Sequence, residues 1–403
     1  MSEAASINAE VISTPGAREL SRPLGAVESS RLQAIDAARG LVIVLMVLDH
    51  TRDFFSHGPP PTDLTRTHAA LFFTRWITHL CAPTFIFLAG VSAYLSGQRR
   101  TRAELQRYLL VRGAWLIVLE FTLVNFMWQF NFGYRMGLVM QVIWAIGASM
   151  CLLSLLLLVP RRWLLGLSLV AIAGHNLLDT ISPEQFGAFA PLWRILHVQG
   201  PVGVGFVLYP LLPWVFVMAL GYCAGQLFEL PRATRLRLFV RYGLVALALF
   251  VALRALNVYG DPKPWALQAS PVLTFLSFMN LAKYPPSLDY LLATLGIASL
   301  LLAWFERAPR AQTELWLVFG RVPLFAYVVH LGLVHLMAGF TAWAMGFGSV
   351  GLTDFFMAFP KGWGFGLAGV YCFWLLVLCL LYPLCSAFAQ YKRTHRAAWL
   401  SYC

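Results

Sequence analysis

The chain has 403 residues, of which 59% are apolar and only 12% charged, and its mean hydropathy is +0.69. Soluble domains carry about 25% charged and about 45–50% apolar residues, so an ordinary water-soluble enzyme is excluded and an all-α, polytopic membrane bundle is expected. The formal charge is +12, yet the basic residues sit between apolar runs. There they mark one side of a bilayer, and no nucleic-acid partner is expected.

Residues 1–35 are rich in Ala, Ser, Glu and Arg and lack the apolar core of a signal peptide, so they read as a disordered cytoplasmic tail. A span needs about 20 mostly apolar residues. Apolar runs bounded by Pro, Gly and Arg clusters give about ten spans, near 36–55, 70–96, 109–129, 137–159, 163–179, 203–227, 238–256, 286–305, 316–338 and 365–389. The membrane domain is thus 36–390, and residues 391–403 form a basic cytoplasmic tail. The first tail and the loops around 99–112, 160–163, 231–241, 306–310 and 391–396 hold 19 of the 30 basic residues. With an even number of spans, the positive-inside rule places both termini in the cytoplasm of a plasma (inner) membrane protein.

Seven cysteines, at 81, 151, 223, 372, 379, 385 and 403, show no CxxC or Cys/His spacing, so neither a metal nor a disulfide framework is expected. His57 and His68 read as loop residues, and His175 and His197, at outer loop ends, as solvated. His330 and His335 are five apart and face different ways, so they are not a metal pair.

Ionisable residues inside spans are costly and mark function by default. In the first span Arg39 and His50 are eleven residues apart, close to three helical turns, which puts them on one face about 16 Å apart along the axis. Asp36 lies one turn from Arg39 and can pair with it, and Gly40 admits a close neighbour. Depth along each span sorts the rest. Arg39 and Arg321 fall near the inner edge, and His50, His79, Glu120 and His330 lie roughly 16–21 Å in. Arg75 sits one turn from His79. Each has a plainer reading: Arg39 as a snorkelling side chain, His50 as a helix-packing hydrogen bonder, and Arg75, His79 and Glu120 as a buried structural network.

The Arg, ten residues, His pattern of the first span resembles the signature of the acyltransferase-three class. The segments RLQAIDAARGLVIVLMVLDH (31–50), RWITHLCAPTFIFLAGVSAYL (75–95), LYPLLPWVFVMALGY (208–222), KYPPSLDYLLATLG (283–296) and FGRVPLFAYVVHLGLVHL (319–336) resemble bacterial proteins similar to the heparan-α-glucosaminide N-acetyltransferase catalytic domain, from about 31 to 390. The resemblance implies transfer of an acyl group, typically acetyl, from cytoplasmic acyl-CoA to an acceptor on the far side, a sugar or glycan. In the lysosomal relative the essential His lies in the loop after the first span. Its nearest counterpart here is His68, one position out of register. That relative carries an Asn near the place of His50, so the two branches differ over which His matters; His50 is placed first here and His68 second. The stretch between them, SHGPPPTDLTRTH (56–68), replaces a glycine-rich one.

On this reading Arg39, Arg321 and Arg75 bind the donor, with the two inner arginines on its phosphates. His50 acts as general base or becomes acylated. Asp49 or Glu120 orients the imidazole, and His79 or Arg75 steadies the oxyanion. His330, Gln141 and Lys283 are candidates for contact with the acceptor. The partners are acyl-CoA, the acceptor and the lipid bilayer, with homo-oligomerisation left open. The alternative from another class is a proton-coupled transporter of a small solute, against which stand the lack of an internal repeat and of an interrupted pair of spans. A membrane scaffold would have no use for intramembrane charges.

The orientation is testable. Cysteines introduced at Pro60 and Ser270 are expected to react with an impermeant thiol reagent applied outside intact cells, and those at Thr101 and Thr234 only after permeabilisation. Reversed labelling would overturn the charge argument.

Overall fold

The computed structural model describes residues 24–131, 137–348, 360–395, 397 and 400. The helices are α1 (Leu24–Phe55), α2 (Ala69–Trp76), α3 (Cys81–Gly97), α4 (Arg102–Leu119), α5 (Asn125–Gln129), α6 (Val142–Leu156), α7 (Arg161–Gly174), α8 (Ala190–Leu196), α9 (Leu211–Ala224), α10 (Arg232–Leu256), α11 (Pro271–Met279), α12 (Leu288–Arg307), α13 (Arg310–Gly320), α14 (Pro323–Ala344) and α15 (Leu367–Thr394). A 3₁₀ turn, Ile77–Leu80, joins α2 to α3, and a π-helical turn, Glu120–Val124, joins α4 to α5.

The chain is an all-α polytopic bundle. Among the described residues, seven stretches are long and apolar enough to cross a membrane, and an eighth is added if a bent pair counts as one. Three of the ten expected spans differ. Helix α1 carries Asp36, Arg39, Asp49, Arg52 and Asp53 and is not among the seven. Helix α6 has only 15 residues. The fifth run bends by 107° between Arg161–Leu178 and Pro183–Leu196, an interruption that the sequence reading did not expect. Other boundaries also move. Helix α1 begins at Leu24, inside the expected tail, and α15 continues to Thr394. The ninth run divides into α13 and α14, with Arg321 in the break and Pro323 at the start of α14, where its fixed φ and missing N–H suit a first turn.

Helix α1 occupies the middle, packed against α3, α12, α13, α14 and α15. Lipid gives no hydrophobic drive between helices, so their association rests on close packing through small residues. A Cβ on Gly40 would stand 1.8 Å from the Trp316 carbonyl oxygen, and one on Gly320 would stand 1.7 Å from that of Asp36. This backbone-level contact fixes α13, and with it Arg321, beside the Asp36–Arg39 turn.

Three short strands, β1 (Leu138–Met140), β2 (Gly200–Val202) and β3 (Gly205–Val207), form a sheet in the order β1-β3-β2. β1 pairs with β3 in parallel and β2 with β3 as an antiparallel hairpin. The Asn125 side chain holds β1: its oxygen accepts the Val139 N–H at 2.9 Å and its nitrogen donates to the Val139 carbonyl at 3.1 Å. At the end of α10, Arg254 donates to the carbonyls of Lys263, Ser277, Phe278 and Asn280 at 2.9–3.2 Å, which organises the long loop that follows.

Gly40→Ala is expected to destabilise the purified protein by about 1–3 kcal/mol, the usual cost of overpacking. Gly166, with nothing within 4 Å of an added Cβ, should tolerate the same change. Thermal unfolding in detergent compares them; equal midpoints would mean that the α1–α13 contact yields freely.

Candidate active site

Two chambers lie along the face of α1 that carries Arg39 and His50. The lower one, about 320 Å³, is lined by Asp36, Arg39, Ser92, Arg112, Arg321 and Lys392 together with apolar side chains of α3, α4 and α6. The upper one, about 540 Å³, is lined by Asp49, His50, Arg52, Asp53, Arg75, Gln141, Gln199, Tyr209, Lys283 and Tyr284 among others. Met46, Phe85, Val142 and Tyr327 line both, so the chambers abut across an apolar neck. The small sheet contributes Val139 and Phe206 to the upper chamber.

In the lower chamber Arg39 is braced rather than loose. It pairs with Asp36 at 3.1 Å and donates to Ser92 Oγ and, at 3.4 Å, to the Leu88 carbonyl. Four cations line this chamber against the single carboxylate of Asp36.

The upper chamber is built around two groups. The first is a histidine pair. His50 Nδ1 lies 2.7 Å from His330 Nε2, with the rings stacked at 5.0 Å, and His330 Nδ1 lies 2.9 Å from the Ala326 carbonyl oxygen. A carbonyl can only accept, so in the neutral pair His330 carries its proton on Nδ1 and accepts from His50 Nδ1–H. That leaves the lone pair of His50 on Nε2, which no hydrogen bond among the described residues engages. Trp128 stands edge-on to the His50 ring at 4.9 Å. The second group is a charge cluster. Asp49 meets Arg52 at 2.8 Å, Arg75 at 3.7 Å and Lys283 at 4.0 Å, and Arg52 also meets Asp53 at 2.5 Å. Low-dielectric surroundings make such charges costly unless paired, and here each carboxylate has a cation.

The family described as heparan-alpha-glucosaminide N-acetyltransferase, catalytic, matches residues 31–261. The chain belongs to that family. A comparison with curated proteins finds no match. Membership makes this chain of the heparan-alpha-glucosaminide N-acetyltransferase family an acetyltransferase-type enzyme, and its apolar helices make it an integral membrane protein. The match stops at 261, short of the segments 283–296 and 319–336 in which the sequence resemblance was also read. Lys283 and His330 therefore enter the site of this N-acetyltransferase-family protein by geometry alone.

Of the residues singled out by sequence, Arg39 and Arg321 meet in the lower chamber, and His50, Asp49, Arg75, Gln141 and Lys283 meet in the upper. His330 reaches it as the partner of His50. Three others lie elsewhere. Glu120 sits at the π-helical turn and accepts the Trp144 N–H at 2.9 Å, capping the start of α6 rather than touching an imidazole. His79 is buried in the 3₁₀ turn beside Tyr290, whose hydroxyl donates to the His79 carbonyl at 2.8 Å, and it lines neither chamber. His68 caps α2, its Nδ1 accepting the Leu71 N–H at 3.4 Å, and also lines neither. Asp49 pairs with Arg52, Arg75 and Lys283, and the hydrogen bond of the His50 imidazole is with His330. Arg52, Asp53, Tyr209 and Tyr327 were missed. Arg52 and Asp53 lie two and three residues after His50, within one turn, and that proximity is the signal the sequence offers.

Proposed function

We propose that the protein transfers an acyl group, typically acetyl, from acyl-CoA to an acceptor, with the donor's phosphates in the lower chamber and its thioester at His50 in the upper. The observation that carries this reading is the pair of abutting chambers, one cationic and one holding a histidine with a free lone pair. Acyl-CoA is polyanionic at one end and has a slim, uncharged arm at the other. Arg39, Arg321, Arg112 and Lys392 suit the phosphates, and the neck of Met46, Phe85, Val142 and Tyr327 suits the arm.

His50 Nε2 then takes the proton from the acceptor's hydroxyl or amine as that atom attacks the thioester carbonyl. The carbon–sulfur bond breaks, and the proton returns to the departing thiolate. His330 holds the ring in the required tautomer and shares the charge that forms on it. Arg75 and Lys283 are placed to offset negative charge on the carbonyl oxygen. Tyr209, Tyr284 and Gln199 offer hydroxyl, amide and ring surfaces that fit a sugar acceptor on the far side from the basic mouth. Following the arginine count, that mouth faces the cytoplasm.

Two measurements on purified protein separate the roles. Arg321→Ala and Arg39→Ala should each weaken acyl-CoA binding at least about tenfold, because a charge-assisted contact is worth about 1.5–3 kcal/mol. Unchanged affinity in both folded variants would remove the lower chamber from the donor site.

His50→Ala should lower acyl transfer by about 10²–10⁴-fold, the usual worth of a general base, while acyl-CoA binding stays near normal. His68→Ala should retain turnover. A dead His68 variant beside an active His50 variant would move the chemistry to the outer rim, and a protein that neither binds nor turns over CoA esters would favour a transporter.

A further inference from the structure

At the bend that follows α7, three side chains converge outside both chambers. His175 ends α7, Asp179 lies in the turn, and His197 follows α8. Their ligand atoms lie within 4.8 Å of one another. The two histidines, expected to be solvated, are instead buried, at 2% and 0% exposure. Burial of an imidazole is costly without a partner for its polar atoms. His197 Nε2 has one, Asp179 Oδ1 at 2.9 Å. His197 Nδ1 and both nitrogens of His175 have none among the described residues.

We propose that His175, Asp179 and His197 bind a divalent transition-metal ion, zinc, which clamps the bend between α7 and α8. Two imidazoles and one carboxylate form the donor set of many zinc sites, with a fourth position for water. The set has too few oxygens for calcium or magnesium and no thiolate for copper(I). A tetrahedral ion with bonds of about 2.0–2.1 Å holds its donors ~3.3 Å apart, so modest side-chain rotations close the cluster. The carboxylate is already oriented: Asn176 Nδ2 donates to Asp179 Oδ2 at 2.7 Å, and Asn176 Oδ1 accepts the Leu288 N–H at 2.9 Å, tying the turn to α12. Such outer-shell support is a usual companion of metal ligands. The histidines are 22 residues apart in sequence, a spacing that matches no short metal motif, which is why sequence reading passed over them.

The clamp has a structural use. The chain turns through 107° here, and residues just past His197 supply Gln199 to the upper chamber and Gly200–Val202 to the sheet. Zinc would join the end of α7 to the start of that wall.

The test uses the full-length protein in detergent, stripped with chelator and titrated with zinc alone or with cobalt(II) as a coloured stand-in. One equivalent is expected to bind with sub-micromolar Kd, to raise the thermal midpoint, and to give cobalt a four-coordinate absorption spectrum. His175→Ala and His197→Ala should each weaken binding by at least ~100-fold, and Asn176→Ala by about 10–100-fold. His175→Ala also leaves a cavity, so each variant is melted with and without zinc: a cooperative transition shows that the fold is kept, and the loss of the zinc-induced rise shows that binding is lost. That makes loss of binding separable from loss of fold. Folded wild type that takes up no zinc would overturn the proposal and leave a purely hydrogen-bonded cluster. Equal affinity in wild type and both histidine variants would overturn it too, by placing the ion elsewhere.

Discussion

A helix bearing Asp36, Arg39, Asp49, Arg52 and Asp53 cannot face hydrocarbon, because each unpaired charge there costs several kcal/mol. Helix α1 is therefore packed against α3, α12, α13, α14 and α15, and its charges find partners within one turn, on α2 or in the loop before α12. Asp36 takes Arg39; Asp49 takes Arg52, Arg75 and Lys283. The pairing ties α2 and the Lys283 loop to one end of α1, and the glycine contact with α13 fixes how close that helix comes. The upper chamber lies at that end of α1, and the lower one lies between α1 and side chains of α3, α4, α6, α13 and α14.

The same constraint shapes the histidine pair. His330 is fully buried on α14, so its Nδ1–H must find an acceptor, and the Ala326 carbonyl one turn earlier in its own helix supplies one. That local bond dictates the tautomer of His330, which dictates the tautomer of His50, which leaves Nε2 as the basic atom. A backbone carbonyl so placed does not depend on a side-chain carboxylate keeping its charge. Asp49 is free to serve the cations instead.

Much of this was legible in the sequence, and the rest fails for identifiable reasons. Helical periodicity placed Arg39 and His50 on one face, and the two chambers lie along that face. Counting depth along the spans put Arg321 level with Arg39 and His330 level with His50; the arginines line one chamber and the histidines are hydrogen-bonded. Depth alone cannot tell which level residues are neighbours, and so Glu120 and His79 were grouped with His50 although they serve a helix cap and a buried turn. The solvated reading of His175 and His197 failed because the run beyond residue 178 folds back instead of ending in a loop.

The neck between the chambers bears on how a charged donor and a polar acceptor can share one reaction centre. Met46, Phe85, Val142 and Tyr327 present almost wholly apolar surface between a chamber with four cations and one whose cations are paired with carboxylates. A phosphate moved through it would have to shed both its water and its arginines, whereas an uncharged thioester arm would lose little. The charge distribution thus sorts a molecule by its ends. On the proposed reading its anionic part would be retained below and its neutral part admitted above, where His50 stands with its open lone pair.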